Sequence, residues 1–97
     1  MMKKLFYIFM FGTVVLFGNT ATLYTKCAAC HGNYGQDRAL GKSEAIQGKS
    51  ASGLYQKLKS YAQGKENAYG YGSLMKMQVV SLSDSELQAL AKYISRL

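Results

Sequence analysis

From about residue 20 onward the apolar positions recur every three or four residues, the helical period, and no stretch alternates convincingly with the period of two that marks a strand. Leu23, Tyr24, Cys27 and Cys30 share one side of a first helix, with Thr20 or Thr22 available to cap it and Gly32 suited to its end. Residues 33 to 49 hold Gly35, Gly41 and Gly48 among mixed polar residues and read as loop, with one short turn around Ser43 to Ile46 and Leu40 and Ile46 as apolar points. A second helix starts at Ser50 or Ser52 and ends at Gly64. Leu54, Tyr55, Leu58, Tyr61 and Ala62 form its stripe, the tyrosines packing with their hydroxyls on polar partners, and Lys57 and Lys59 lie on its polar side. Residues 65 to 72 form a polar loop leading into Ser73-Leu74-Met75-Lys76-Met77, a segment that the nearby glycines leave free to move. Ser83-Asp84-Ser85-Glu86 is a capping box, flanked by Leu82 and Leu87 as a hydrophobic staple. Leu87, Leu90, Ala91, Ile94 and Leu97 then make the buried face of a last helix, with Tyr93 beside it. The expected fold is all-α, with three to four short helices and neither repeats nor low-complexity segments.

The first twenty residues follow a different pattern. Lys3 and Lys4 precede an apolar run from Leu5 to Phe17, thirteen residues long. A membrane span needs about 20 residues, so the run fits the hydrophobic part of a secretory signal over residues 1–20. Gly18, Thr20 and Ala21 are the small residues available for cleavage, without a clean A-x-A pattern, and an uncleaved anchor is the alternative. Either way the folded domain, residues 21–97, is exported. A domain this small rarely stabilises itself by apolar burial alone and needs a staple. Without Lys3 and Lys4 it carries ten basic and five acidic residues, a net charge of +5. That modest field suits acidic docking surfaces on other proteins. Scattered basic residues on an exported chain argue against nucleic acid.

Cys27-Ala28-Ala29-Cys30-His31 supplies the chemistry. C-x-x-C-H is the attachment pattern of a c-type haem. Thiols three apart on a helix project from one face and can add to two vinyl groups on one porphyrin edge. His31, four residues after Cys27, brings an imidazole under the iron. A structural zinc site needs about four ligands, and the chain has two cysteines and one histidine. A thioredoxin-like site needs a βαβ context and a cis-proline, but the chain contains no proline. A structural disulfide leaves His31 unexplained. The reading is therefore one covalent haem c, bound through Cys27 and Cys30, with its iron on His31. Its two propionates would lower the net charge to about +3. His31 is the only histidine, which excludes a second imidazole, and a soft methionine sulfur suits the other axial position. Met1, Met2 and Met10 lie in the leader, so Met75 and Met77 are the candidates.

CxxCH near the mature N-terminus, a Leu/Tyr helix in the middle, and a methionine ahead of a Leu-Ser-Asp-x-Glu-Leu-x-x-Leu-Ala-x-Tyr-Ile helix together resemble the class I cytochromes c, in particular the small mono-haem bacterial ones. The likeness runs from Leu23 to Leu97. It implies a small cytochrome c fold around one haem, and it implies Met75 as the second axial ligand, because relatives place that methionine eight residues before the serine capping the last helix, here Ser83. Met77 then becomes a wall residue. Many relatives use a proline carbonyl to accept the histidine Nδ1–H bond; here another carbonyl, around Ala39 to Gly41, is expected instead. With histidine and methionine on the iron, the expectation is a soluble, monomeric, periplasmic one-electron shuttle and not an enzyme. Its partners would dock where Lys26, Lys42 and Lys76 ring the thioether edge. The resemblance implies a quinol–cytochrome c oxidoreductase upstream and a haem–copper oxidase or cytochrome c peroxidase downstream. The rival readings are a haem-based gas sensor or peroxidase-like enzyme with an open sixth position, and a fixed electron-input subunit of a larger enzyme.

Overall fold

A computed structural model describes residues 20–97; the predicted leader lies outside them except for Thr20, and so does the choice between cleaved signal and anchor. The described chain is all-α. Helix α1 covers 20–31, α2 Ala51–Ala62, α3 Gly72–Val79 and α4 Asp84–Ser95, and a single 3-10 turn at Ala39–Gly41 lies between α1 and α2.

Helix α2 packs against both α3 and α4, and α4 supplies half of the buried core residues. The start of α4 is fixed by a complete capping box: Ser83 Oγ accepts from the Glu86 N–H at 3.2 Å, and Glu86 Oε1 accepts from the Ser83 N–H at 2.9 Å. Leu87, Leu90, Ala91 and Ile94 then fall on one stripe and are all buried. They meet Leu54 and Leu58 of α2, Val79 of α3 and Tyr24 of α1 in one contiguous core. Tyr24 stacks obliquely on Tyr93, with ring centroids 5.5 Å apart, and its hydroxyl donates to the Gly32 carbonyl at 2.7 Å. The aromatic body is thus buried while its polar tip is satisfied.

Ser50, not Ser52, caps α2, accepting from the Gly53 N–H at 3.1 Å. Tyr55 reaches across to α4 and donates to Asp84 Oδ1 at 2.5 Å, the polar partner the sequence called for. Three other local expectations are corrected. Helix α1 is already formed at Thr20, so Thr20 and Thr22 sit inside it and neither is its cap. The short turn lies at Ala39–Gly41 instead of Ser43 to Ile46, because Ser43 staples it from outside: its Oγ accepts from the Ala39 N–H at 3.0 Å. Finally, the Met75 segment is not a free loop but the helix α3.

Gly72 explains that last difference. Its N–H is held by Asn67 Oδ1 at 2.8 Å, and a Cβ there would collide with the Glu66 carbonyl. Only glycine lets the 66–72 loop fold back this closely onto the start of α3. The glycine serves close approach, and its effect is to fix α3 where the sequence suggested freedom.

Candidate haem site

The end of α1, the Ala39–Gly41 turn, α2 and α3 enclose a cavity of about 810 Å³. Cys27, Cys30 and His31 border it from α1, and Met75 borders it from α3. The chain is steered away from His31 by Gly32, which takes a φ of 87° directly after the helix while its N–H still bonds to the Ala28 carbonyl at 2.9 Å. His31 itself is buried, at 8 % exposure, whereas Cys27 is half-buried and Cys30 exposed, and both thiols are free. No disulfide joins Cys27 and Cys30 in this structure.

The two methionines part company. Met75 is half-buried and lines the cavity; Met77 is 72 % exposed and does not. The reason is helical phase. Gly72, Met75 and Val79 lie three and four residues apart on the inward side of α3, while Met77 falls outside that stripe.

The rest of the wall is largely apolar: Leu54, Leu58 and Tyr61 from α2, Ile94 from α4, Leu40 and Ile46 from the first loop. Leu40 is held in a left-handed conformation, φ 53° and ψ 23°, a region that non-glycine residues avoid. Tyr69, Tyr71, Leu74 and Gln78 also line the space and were missed from sequence. A signal existed for Gln78, three residues after Met75, and for Leu74, four before Gln78, but only once α3 is recognised as a helix. Of the lysines expected around the thioether edge, Lys26 borders the cavity; Lys42 and Lys76 do not. The Lys76 side chain instead lies beside Gly64, just past the end of α2. Lys49 and Lys57 border the cavity as well, each paired at 2.7 Å, with Glu44 and Glu66 respectively.

Burial pushes the His31 imidazole below its usual pKa and so favours the neutral form, which has a lone pair to offer a metal. Burial likewise pushes the Cys27 thiol up, reinforced by Cys30 and opposed by Lys26. The expected bond from the imidazole to a backbone carbonyl is absent: His31 Nδ1 is buried without a hydrogen-bond partner. The Ala39–Gly41 segment does not supply one, and two carbonyls at its start are already engaged within the turn. The Arg38 carbonyl accepts from Gly41, and the Ala39 carbonyl from Lys42 and Ser43.

These observations fit a haem. The cavity is at the upper end of the range for small-molecule sites, about 300–1,000 Å³. Its lining combines apolar walls with two thiols, a neutral imidazole and a thioether. The fold and the site together define a covalent-haem electron carrier, and the chain belongs to the cytochrome c family, whose model, described as Cytochrome c, matches residues 18–97. In this family haem c is bound covalently and carries iron. The chain is similar to the protein named cytochrome c-553 of Nitratidesulfovibrio vulgaris (strain DSM 19637 / Miyazaki F), with 40% identity over 81 residues, 79% of this chain and 74% of that one. It is also similar to cytochrome c-553 of Helicobacter pylori strain J99, with 33% identity over 87 residues, 90% of this chain and 86% of that one.

Proposed function

We propose that Cys27 and Cys30 carry the thioether links, that His31 and Met75 are the axial ligands, and that the protein is a soluble periplasmic one-electron shuttle rather than an enzyme. The observation that carries this reading is the convergence of both thiols, the buried imidazole and the Met75 side chain on one apolar cavity, with Met77 outside it. When bound, haem supplies a reversible change of one electron between ferric and ferrous iron. The chain's own residues keep that change simple. His31 offers a neutral nitrogen, and Met75 offers a soft sulfur that favours the ferrous state and a raised potential. Leu54, Leu58, Tyr61 and Ile94 line the cavity and would exclude water from a ring held there. With His31 and Met75 both holding the iron, the group would offer no open position to a substrate.

The partners of such a carrier are redox proteins. By resemblance they are a quinol–cytochrome c oxidoreductase as donor and a haem–copper oxidase or cytochrome c peroxidase as acceptor. Among the described residues no helix is long and apolar enough to cross a membrane. The signal reading of residues 1–20 supports export to the periplasm.

Mass spectrometry and ferric absorption of the exported protein test the assignment. The expected mass includes one tetrapyrrole, lost in the Cys27→Ala/Cys30→Ala double variant. The expected spectrum has a thioether-to-iron charge-transfer band that vanishes in Met75→Leu and survives in Met77→Leu. The reverse pattern would transfer the role to Met77, and ready carbon monoxide binding by the wild-type ferrous protein would favour a sensor.

A further inference from the structure

Helix α1 presents the attachment and histidine residues, and helix α3 presents Met75; the two are far apart in sequence. One side chain ties them together directly. Lys26, the residue immediately before Cys27, donates from Nζ to the backbone carbonyl of Gln78, three residues after Met75, at 2.8 Å. Gln78 lies in the last turn of α3, Gly72–Val79. Carbonyls in a last helical turn have no further helical N–H to accept, and they form the negative end of the helix dipole. An ammonium at this point satisfies such a carbonyl and sits where a cation is electrostatically favoured. The end of α3 is also held by Val79, 1 % exposed in the core, and by its own backbone, with Val80 N–H on the Lys76 carbonyl and Leu82 N–H on the Val79 carbonyl.

We propose that Lys26 is a positioning residue that latches the C-terminal turn of α3 to α1 and thereby holds the Met75 sulfur over the cavity. The functional consequence rests on Met75 being the axial ligand; the mechanical link between the two helices does not. Helix α3 has only eight residues, and isolated helices of that length are marginal. Its hold on Met75 therefore depends on anchors at both ends. Asn67 fixes the first turn through the Gly72 N–H, and Lys26 fixes the last. Lys26 also lines the cavity itself and directly precedes Cys27, so the latch is placed beside the proposed attachment point.

The test compares Lys26→Met, which keeps the aliphatic stem but removes the donor and charge, with Lys26→Arg, which keeps both. In the haem-loaded ferric protein, exogenous imidazole is titrated while the thioether band is followed. Lys26→Met is expected to bind imidazole about threefold to tenfold more tightly, the loosening appropriate to losing one cation at a helix end, and Lys26→Arg should stay close to wild type. In parallel, native-state hydrogen exchange at the Val79 and Val80 amides should speed up in Lys26→Met, while Leu90 and Ala91 in α4 stay unchanged. Unaltered exchange and imidazole affinity in Lys26→Met would overturn the latch. Equal acceleration in α3 and α4 would do so too, because it would mean a general loss of stability. A wild-type spectrum lacking the thioether band, combined with selective α3 exchange, would remove Met75 as ligand and leave the latch standing.

Discussion

The α2–α4 half of the molecule and the half that faces the cavity solve different problems. Between α2 and α4 the protein provides its own partners. Leu54 and Leu58 meet Leu87, Leu90 and Ile94 in the core, the helix starts are capped by Ser50 and Ser83, and Tyr55 bridges the two helices through Asp84. Around the cavity the polypeptide leaves its groups unmatched. His31 Nδ1 is buried without a partner, Leu40 is 52 % exposed in a left-handed conformation, and Tyr71 and Leu74 are each 42 % exposed although apolar. Large exposed apolar surface beside a cavity marks a place meant to be covered. The first half is a protein core in the usual sense, and the second is half of a core whose complement is the haem.

The largest contrast should come from truncating one leucine in each half. Leu90 is 1 % exposed at the centre of the helical core. Leu90→Ala leaves a cavity and is expected to cost about 2–5 kcal/mol, seen in denaturant unfolding as a lowered midpoint with an unchanged slope. Leu40→Gly removes a side chain of the same size from the cavity rim and also relieves a left-handed strain of about 1–2 kcal/mol. Glycine's extra freedom in the unfolded chain offsets most of that relief, so stability should stay within about 1 kcal/mol of wild type. A loss at Leu40 comparable with that at Leu90 would show that the rim belongs to the core after all.

An intermediate effect is expected where the two halves join. A Cβ at Gly72 would press on the Glu66 carbonyl, which is backbone and gives way only if the 66–72 loop shifts. Gly72→Ala should therefore cost about 1–3 kcal/mol as overpacking. Unlike Leu90→Ala, it should also weaken the charge-transfer band proposed for Met75, since α3 starts at Gly72. Equal bands in the two variants would mean that α3 tolerates displacement at its first turn.

How much of this was legible beforehand follows the same division. The capping box at Ser83 and Glu86, the stripe from Leu87 to Ile94 and the Leu54/Leu58 pair were readable because local rules of spacing and capping decide them. CxxCH was readable because two cysteines and a histidine at fixed spacing meet one chemical need. Helix α3 was not. Its sequence, Gly-Ser-Leu-Met-Lys-Met-Gln-Val, begins with a glycine, has no capping side chain at Tyr71 and has a weak apolar stripe. Its place is set by tertiary contacts: Asn67 on Gly72, Lys26 on Gln78 and Val79 in the core. The left-handed Leu40 and the unpaired His31 Nδ1 were equally beyond reach, since no local pattern announces a left-handed leucine or says which carbonyl will face a buried imidazole.

The smallest expected effect is electrostatic, and it separates two bonds that look alike on paper. Glu66 accepts from Lys57 Nζ at 2.7 Å, and that lysine is the main reason its carboxyl is held below the ordinary range. Asp84 is also held low, first by the Tyr55 hydroxyl and the Gln88 amide, with Lys59 a lesser cause. In each case the folded state binds its proton less readily than the unfolded chain. The stabilisation is therefore present above the ordinary carboxylate pKa of about 4 and is lost as pH falls through the lower folded values. Both groups are solvent-accessible, so the loss is a small one, read as a shift of the urea midpoint between about pH 7 and about pH 3. Glu66→Gln and Asp84→Asn should each flatten that dependence. Added salt should erase the Glu66 share, because an ion pair in water is screened, and leave the Asp84 share largely intact, because its main donors are neutral. If salt removed both shares alike, Asp84 would be held by Lys59 rather than by Tyr55, and the α2–α4 half would rest on a surface charge pair instead of a directed hydrogen bond.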